Sequence, residues 1–215
     1  MRPARPATEE EILARAAAQP VAPVAGEGWQ SLFDGKSLTG WRVTDFSAGG
    51  EVTVGQGMIL CRAGEPFTGI STTNFAAKVD YEISLEAMRV SGADFFCGLT
   101  FPVRESFCSL ILGGWGGSVV GLSSLDDEDA SENETTQIVE FESGRWYHVQ
   151  LRVTEQRVEA WIEQKKVVDA VIAGRKVSLR PGEIELSRPL GLCCWSTTAA
   201  YRAVQVRPVL PERPR

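Results

Sequence analysis

The sequence predicts an all-β domain of the sandwich or barrel type, preceded by a short helix. Three observations carry that expectation. Strand-length apolar runs recur at about a dozen places, spaced by Gly, Pro, Asp and Ser. The clearest runs alternate with period two: Tyr81, Ile83 and Leu85 against Glu82, Ser84 and Glu86, then Tyr147, Val149, Leu151 and Val153 against Trp146, His148, Gln150 and Arg152. Almost nothing beyond the first residues reads as helical.

In chain order, residues 8–19 begin with an N-cap threonine at Thr8 and a glutamate three residues later at Glu11, followed by an Ala-rich run, the pattern of a short capped helix. Pro20, Pro23, Gly26 and Gly28 then form a linker, so residues 1–28 are an N-terminal helical arm, an appendage to the domain. A chain of 215 residues with 43% hydrophobic content buries one good core, and the β-domain occupies residues 29–209. Val158, Ala160 and Ile162 repeat the alternation with Glu159 and Trp161 on the other face, and Gln164, Lys165 and Lys166 read as a hairpin turn. The loop from Gly174 to Gly182 has room for one helical turn. The chain closes with two more strands, and residues 210–215 are read as a flexible tail.

The balance of 28 Asp plus Glu against 22 Lys plus Arg leaves a net charge of -6. That charge repels phosphate backbones, which argues against nucleic acid and favours a neutral or sugar-like ligand. No run reaches the roughly 18 apolar residues of a membrane span, and no secretory signal is visible, so a soluble protein is expected, cytoplasmic, or extracytoplasmic if a leader was removed. Cys61, Cys97, Cys108, Cys193 and Cys194 are odd in number and lack CxxC spacing; they read as buried thiols, with a Cys97–Cys108 bridge across a hairpin as the alternative.

Most chemically capable groups lie in or beside residues 94–135. Trp115 sits in a GGWGG turn whose glycines leave its indole prominent, either to stack on a pyranose or to close the core. Trp161 and Trp195 carry the same ambiguity, with core packing favoured for Trp195. The acidic run from Asp126 to Glu134 fails as an EF-hand loop because Glu132 stands where glycine is required and Ile138 where glutamate is. No cofactor is indicated, and a looser divalent-cation site such as calcium remains the alternative to a solvated loop. Asn133-Glu134-Thr135 is a sequon.

Trp29, Leu32-Phe33-Asp34-Gly35, Leu38 and Gly40-Trp41 spell W-x2-LFDG-x2-L-x-GW, which resembles the opening signature of the 3-keto-disaccharide hydrolase family. Later pieces follow the family's order, among them GRWYHVQLRV, VEAWIEQKKVVD and a final LGL strand, so the resemblance covers about residues 29–208. It implies a two-sheet antiparallel, concanavalin-like jelly roll whose concave face can hold a sugar. The chain departs from the family's pattern at Trp146-Tyr147, at Gln164-Lys165, and at Gly191 to Trp195, where the family's GLQxHG ending carries a histidine that this chain lacks.

The implied chemistry is cleavage of a 3-keto-glycoside. The ketone acidifies the proton on carbon 2, a base forms the enolate, the glycosidic oxygen is expelled and water adds. Candidates for proton transfer are His148, Glu105, Asp94 and Glu134, with Arg104, or a cation held by carboxylates, facing the enolate oxygen. Trp115, Trp146, Gln150 and Trp161 are the substrate-binding candidates; Trp146, His148 and Gln150 align at period two like one wall of a sugar site. Alternation alone does not say whether that wall faces the groove or solvent. The alternative functions are a non-catalytic carbohydrate-binding module, or a partner-binding sandwich that docks through the N-terminal arm.

Overall fold

The structure, a computed structural model, describes residue 5 and residues 7–209; the expected tail at 210–215 lies outside the described residues. Helix α1 (Glu9–Ala17) precedes β1 (Gln30–Ser31), β2 (Trp41–Val43), β3 (Val52–Gly55), β4 (Met58–Cys61), β5 (Phe67–Thr72), β6 (Tyr81–Gly92) and β7 (Cys97–Val103). Then follow β8 (Ser106–Gly113), β9 (Val119–Ser123), β10 (Gln137–Ile138), β11 (Trp146–Val153), β12 (Arg157–Ile162), β13 (Lys165–Val171), β14 (Gly191–Trp195) and β15 (Thr197–Pro208). A single 3-10 turn, Glu183–Ser187, precedes β14, just past the loop expected to hold one.

These strands form two antiparallel sheets packed as a jelly-roll sandwich. The first has the order β13-β12-β11-β6-β15-β4-β3, with β1 added beside β15; the second has the order β10-β9-β8-β7-β14-β5-β2. The period-two pattern places Ile83, Leu85, Val149 and Leu151 of the first sheet against Leu99, Phe101, Leu110 and Leu192 of the second. Each such fully buried side chain contributes about 1.5–3 kcal/mol of transfer free energy. Tyr201 and Tyr81 span the layers, donating their hydroxyls to Phe96 O at 2.8 Å and Pro102 O at 2.6 Å, which satisfies two polar groups the core would otherwise strand.

The LFDG segment closes one end of the core. Phe33 is buried, the Asp34 carboxylate accepts from the N–H groups of Lys36 and Ser37, both at 2.7 Å, and the Trp41 indole donates to Leu32 O at 2.6 Å. All five cysteines are buried and free. Cys97 pairs in register with Leu112 and Cys108 with Phe101, so the two do not face each other; burial pushes the Cys108 and Cys193 thiols up to about 12.

Helix α1 carries the expected capping box, with Thr8 Oγ1 accepting from Glu11 N at 3.2 Å and the Glu11 carboxylate accepting from Thr8 N at 2.8 Å. Nine residues make a marginal helix in water, so tertiary packing holds it. Ile12, Leu13 and Ala16 lie on Met58, Leu60, Met88 and Trp146 of the first sheet. Trp146 Nε1 donates to Ala16 O at 3.1 Å, and the Arg202 guanidinium donates to Gln19 O at 2.8 Å and Pro20 O at 3.0 Å. The arm is therefore a docked part of the fold, not an appendage, and its apolar face is spent on its own sheet. No helix among the described residues is long and apolar enough to cross a membrane.

Candidate functional site

The outer faces of the two sheets differ. On the first, Glu82 lies between Arg152, at 2.5 Å, and Arg207, while Glu86 pairs with Arg202 at 2.5 Å; both carboxylates are almost fully buried. His148 sits in that charged field with Nε2 2.8 Å from Ser84 Oγ. Gln150 shares its row, Trp146 is covered by α1, and Trp161 lies between Arg152 and Lys166, 5.5 and 5.1 Å from its ring. The predicted wall of Trp146, His148 and Gln150 is real as an alignment, but it lies across the sandwich from the pocket described next.

The outer face of the second sheet carries a cavity of about 540 Å³. Its floor is the outward row of β8 and β9, including Ser109, Ile111 and Ser123. One wall is aromatic: Phe67 meets Trp195 edge-on at 4.7 Å and Phe95 at 6.1 Å, with Phe46 stacked behind it at 5.0 Å. Gly98 makes this wall possible, since a Cβ there would lie 2.9 Å from Cys193 Sγ and 3.0 Å from the Phe95 ring. Trp195, expected in the core, is 37% exposed and lines the pocket; β14 alternates so that Leu192 and Cys194 face inward and Cys193 and Trp195 outward. It occupies the ending in which the family's pattern has its histidine.

The lip of the pocket is the GGWGG turn between β8 and β9, which carries Trp115, beside Asp94 from the connection between β6 and β7. Trp115 is 42% exposed and held at φ 49°, a left-handed conformation that costs a non-glycine residue about 1–2 kcal/mol. Arg89 holds the lip from inside: buried, it donates to Gly117 O at 2.8 Å and Asp94 O at 3.2 Å. Asp94 Oδ1 accepts from Phe95 N at 2.7 Å, while Oδ2 has one long contact, 3.4 Å to Gly116 N.

The remaining wall is the strap from β13 to β14, which contributes Arg180, Glu183 and Ile184. Ser47 binds the Glu183 carboxylate through its hydroxyl and its N–H and holds it below the ordinary glutamate value. The acidic run proves to be the latch for this strap. Arg175 pairs with Asp126 at 2.7 Å and with Glu134, Lys176 with Asp127 at 2.6 Å, and Arg180 with Asp129 at 3.1 Å. Arg175 accordingly holds the Asp126 and Glu134 carboxyls below their usual range. These carboxylates are taken by cations, and among the described residues no three His, Cys, Asp or Glu side chains converge as a metal site. Asn133 of the sequon is buried, its side-chain amide 2.8 Å from both Leu122 O and Asp129 O, so it is a structural residue inside the latch.

Of the eight predicted site residues, the fold brings Asp94 and Trp115 into one pocket and leaves the other six outside it. Glu105 is a solvated hairpin tip bound to Lys78 at 2.5 Å, and Arg104 beside it pairs with Glu155 at 3.1 Å. Glu134, the further proton-transfer candidate, belongs to the latch. Sequence reasoning missed Arg180 and Glu183 and favoured the core for Trp195, all three of which line the pocket. Trp195 had a signal in its alternation, whereas Arg180 and Glu183 come from irregular chain with none.

The fold is shared with known structures at low identity. A candidate glycosyl hydrolase from Parabacteroides distasonis superposes with a TM-score of 0.53 at 15% identity, covering 84% of this chain and 94% of that one. The carbohydrate binding module CBM66 from Bacillus subtilis gives 0.51 at 14% identity over 80% and 98%. A prokaryotic beta-1,3-1,4-glucanase (lichenase) from a mouse hindgut metagenome gives 0.52 at 9% over 84% and 98%. None of the curated proteins compared with this chain matches it. The profile of the 3-keto-alpha-glucoside-1,2-lyase-like domain matches residues 28–207, well over half of the sequence, and the chain belongs to that family.

Proposed function

We propose that the pocket on the second sheet is a saccharide site and that the chain cleaves 3-keto-glycosides there, with Asp94 as the base. The observation that supports this is the gathering, in one cavity, of a carboxylate with an oxygen left nearly unpartnered and two exposed indoles, Trp115 and Trp195. An indole face receives the apolar face of a pyranose. Asp94 then takes the proton from carbon 2, the electrons move into the enolate of the carbon 3 ketone, and the carbon 1 to glycosidic oxygen bond breaks as that oxygen takes the proton from Asp94. Water adds across the resulting double bond. Arg180 is the cation at the pocket that can face the enolate oxygen; Asp129 engages its Nη1, and the other guanidinium N–H groups are left for that contact. Glu183, held as a carboxylate, accepts from sugar hydroxyls.

One observation favours a second reading, a carbohydrate-binding module without turnover: the sole histidine lies on the other sheet, against Ser84. The test is direct. Aglycone release from a methyl 3-keto-α-glucoside is expected from the purified protein. Asp94→Asn should lower it by about 10²- to 10⁴-fold while ligand binding, measured by calorimetry, persists. Binding without release in the parent protein supports the module; neither binding nor release overturns both.

A further inference from the structure

The pocket holds more aromatic surface than a sugar ring uses. A pyranose offers one apolar face, and its hydroxyls need partners wherever they are buried, because an unpaired buried hydroxyl loses its hydrogen bonds to water without replacement. Here Phe67, Phe95 and Trp195 form a continuous wall of rings. Ile111 and Ile184 extend the apolar surface across the floor and strap. The polar side chains at the cavity are few. Ser109 on the floor already shares a hydrogen bond with Thr100, 2.9 Å between oxygens, while Asp94, Arg180 and Glu183 serve the sugar. A volume of about 540 Å³ also falls in the range of pockets for drug-sized ligands.

We infer that the ligand is an amphiphilic glycoside, an oxidised sugar joined to a flat aromatic aglycone that lies against the Phe67–Phe95–Trp195 wall. This rests on the reading of the pocket as a saccharide site and deepens it by naming the leaving group's chemistry. The sugar occupies the polar end, between the Asp94–Trp115 lip and Arg180. The phenolic part contacts rings that prefer edge-on or offset partners, the arrangement Phe67 and Trp195 already adopt with each other. A second sugar in that place would bring its hydroxyls against Phe67 and Ile184, which offer them nothing. An aryl leaving group also suits elimination, since a phenoxide departs more easily than an alkoxide.

The experiment compares three probes on the purified full chain by calorimetry and by quenching of tryptophan fluorescence: phenyl 3-keto-α-glucoside, methyl 3-keto-α-glucoside and 3-keto-trehalose. The phenyl compound is expected to bind about tenfold more tightly than the methyl one, and the disaccharide no better than the methyl. In Trp195→Ala the phenyl-to-methyl ratio should fall toward one, and Trp195→Phe should restore most of it. Equal affinity for phenyl and methyl, or tightest binding of the disaccharide, overturns the aromatic aglycone and leaves the saccharide reading standing. Failure of all three probes to bind overturns the saccharide reading together with it.

Discussion

The outer faces of the two sheets start from the same alternation of apolar and polar residues, and the fold finishes them in opposite ways. The first is closed. Glu82 and Glu86 are shared among Arg152, Arg202 and Arg207, the arm lies over Met88 and Trp146, and Arg202 ties the arm's carbonyls to the sheet. The second is left open, with a strap latched beside it and a lip held from within by Arg89. On the closed face buried charges have consumed one another, which serves register and docking of the arm. On the open face Asp94 and two indoles are left without full partners, the condition for meeting a ligand. The difference shows why charged and aromatic residues on a strand's polar side do not by themselves mark a site; what matters is whether other parts of the chain have already satisfied them.

The comparison can be broken most severely on the closed face. Glu86→Ala leaves the Arg202 guanidinium buried without its counter-charge, so thermal or urea unfolding should show a loss of about 3–5 kcal/mol. The native fraction should still bind the pocket ligand normally. If affinity fell in step with stability, the two faces would not be independent.

Acid should act on the open face through its latch. Asp126 and Glu134 have native values held below normal by Arg175, so the unfolded chain binds more protons; the latch contribution is present above the ordinary carboxylate range and is lost as pH falls through the lowered native values. Ligand affinity and hydrogen-exchange protection of residues 175–187 should therefore decline below about pH 4. Arg175→Met should show the loosened strap at neutral pH and a weaker response to acid. An acid response as large in that variant as in the parent would remove the latch from the account.

The smallest effect sharpens the comparison. His148→Ala removes one hydrogen bond to Ser84, expected to cost about 0.5–1.5 kcal/mol of stability, with turnover of a 3-keto-glycoside unchanged within about twofold. A large loss of turnover would bring His148 back as a participant and refute the assignment of the site to the opposite sheet.

Much of the fold was readable because its causes are local. The capping box needs Thr8 and Glu11 three residues apart, the LFDG turn needs Asp34 beside the N–H groups it accepts from, and the inward rows of β6, β11 and β12 follow from period two alone. Trp115 was readable as a site candidate for the same reason, since a glycine turn exposes what it carries, and Asp94 as a carboxylate on the same strand face as Phe96. The acidic run was visible as charge, yet its role as a latch depended on Arg175, Lys176 and Arg180, about fifty residues away in sequence.

The sequence by itself determined an all-β domain with a capped N-terminal helix, the core-facing sides of β6, β11 and β12, and the family whose signature opens the domain. Only the tertiary structure decided which outer face would be open. Strand order put β6 between β11 and β15, which filled the row of His148 with neighbouring charges. The pairing of β14 with β5 set Trp195 opposite Phe67. Pairing between strands distant in sequence is chosen by the whole chain's packing, and no local pattern around His148 or Trp195 records it.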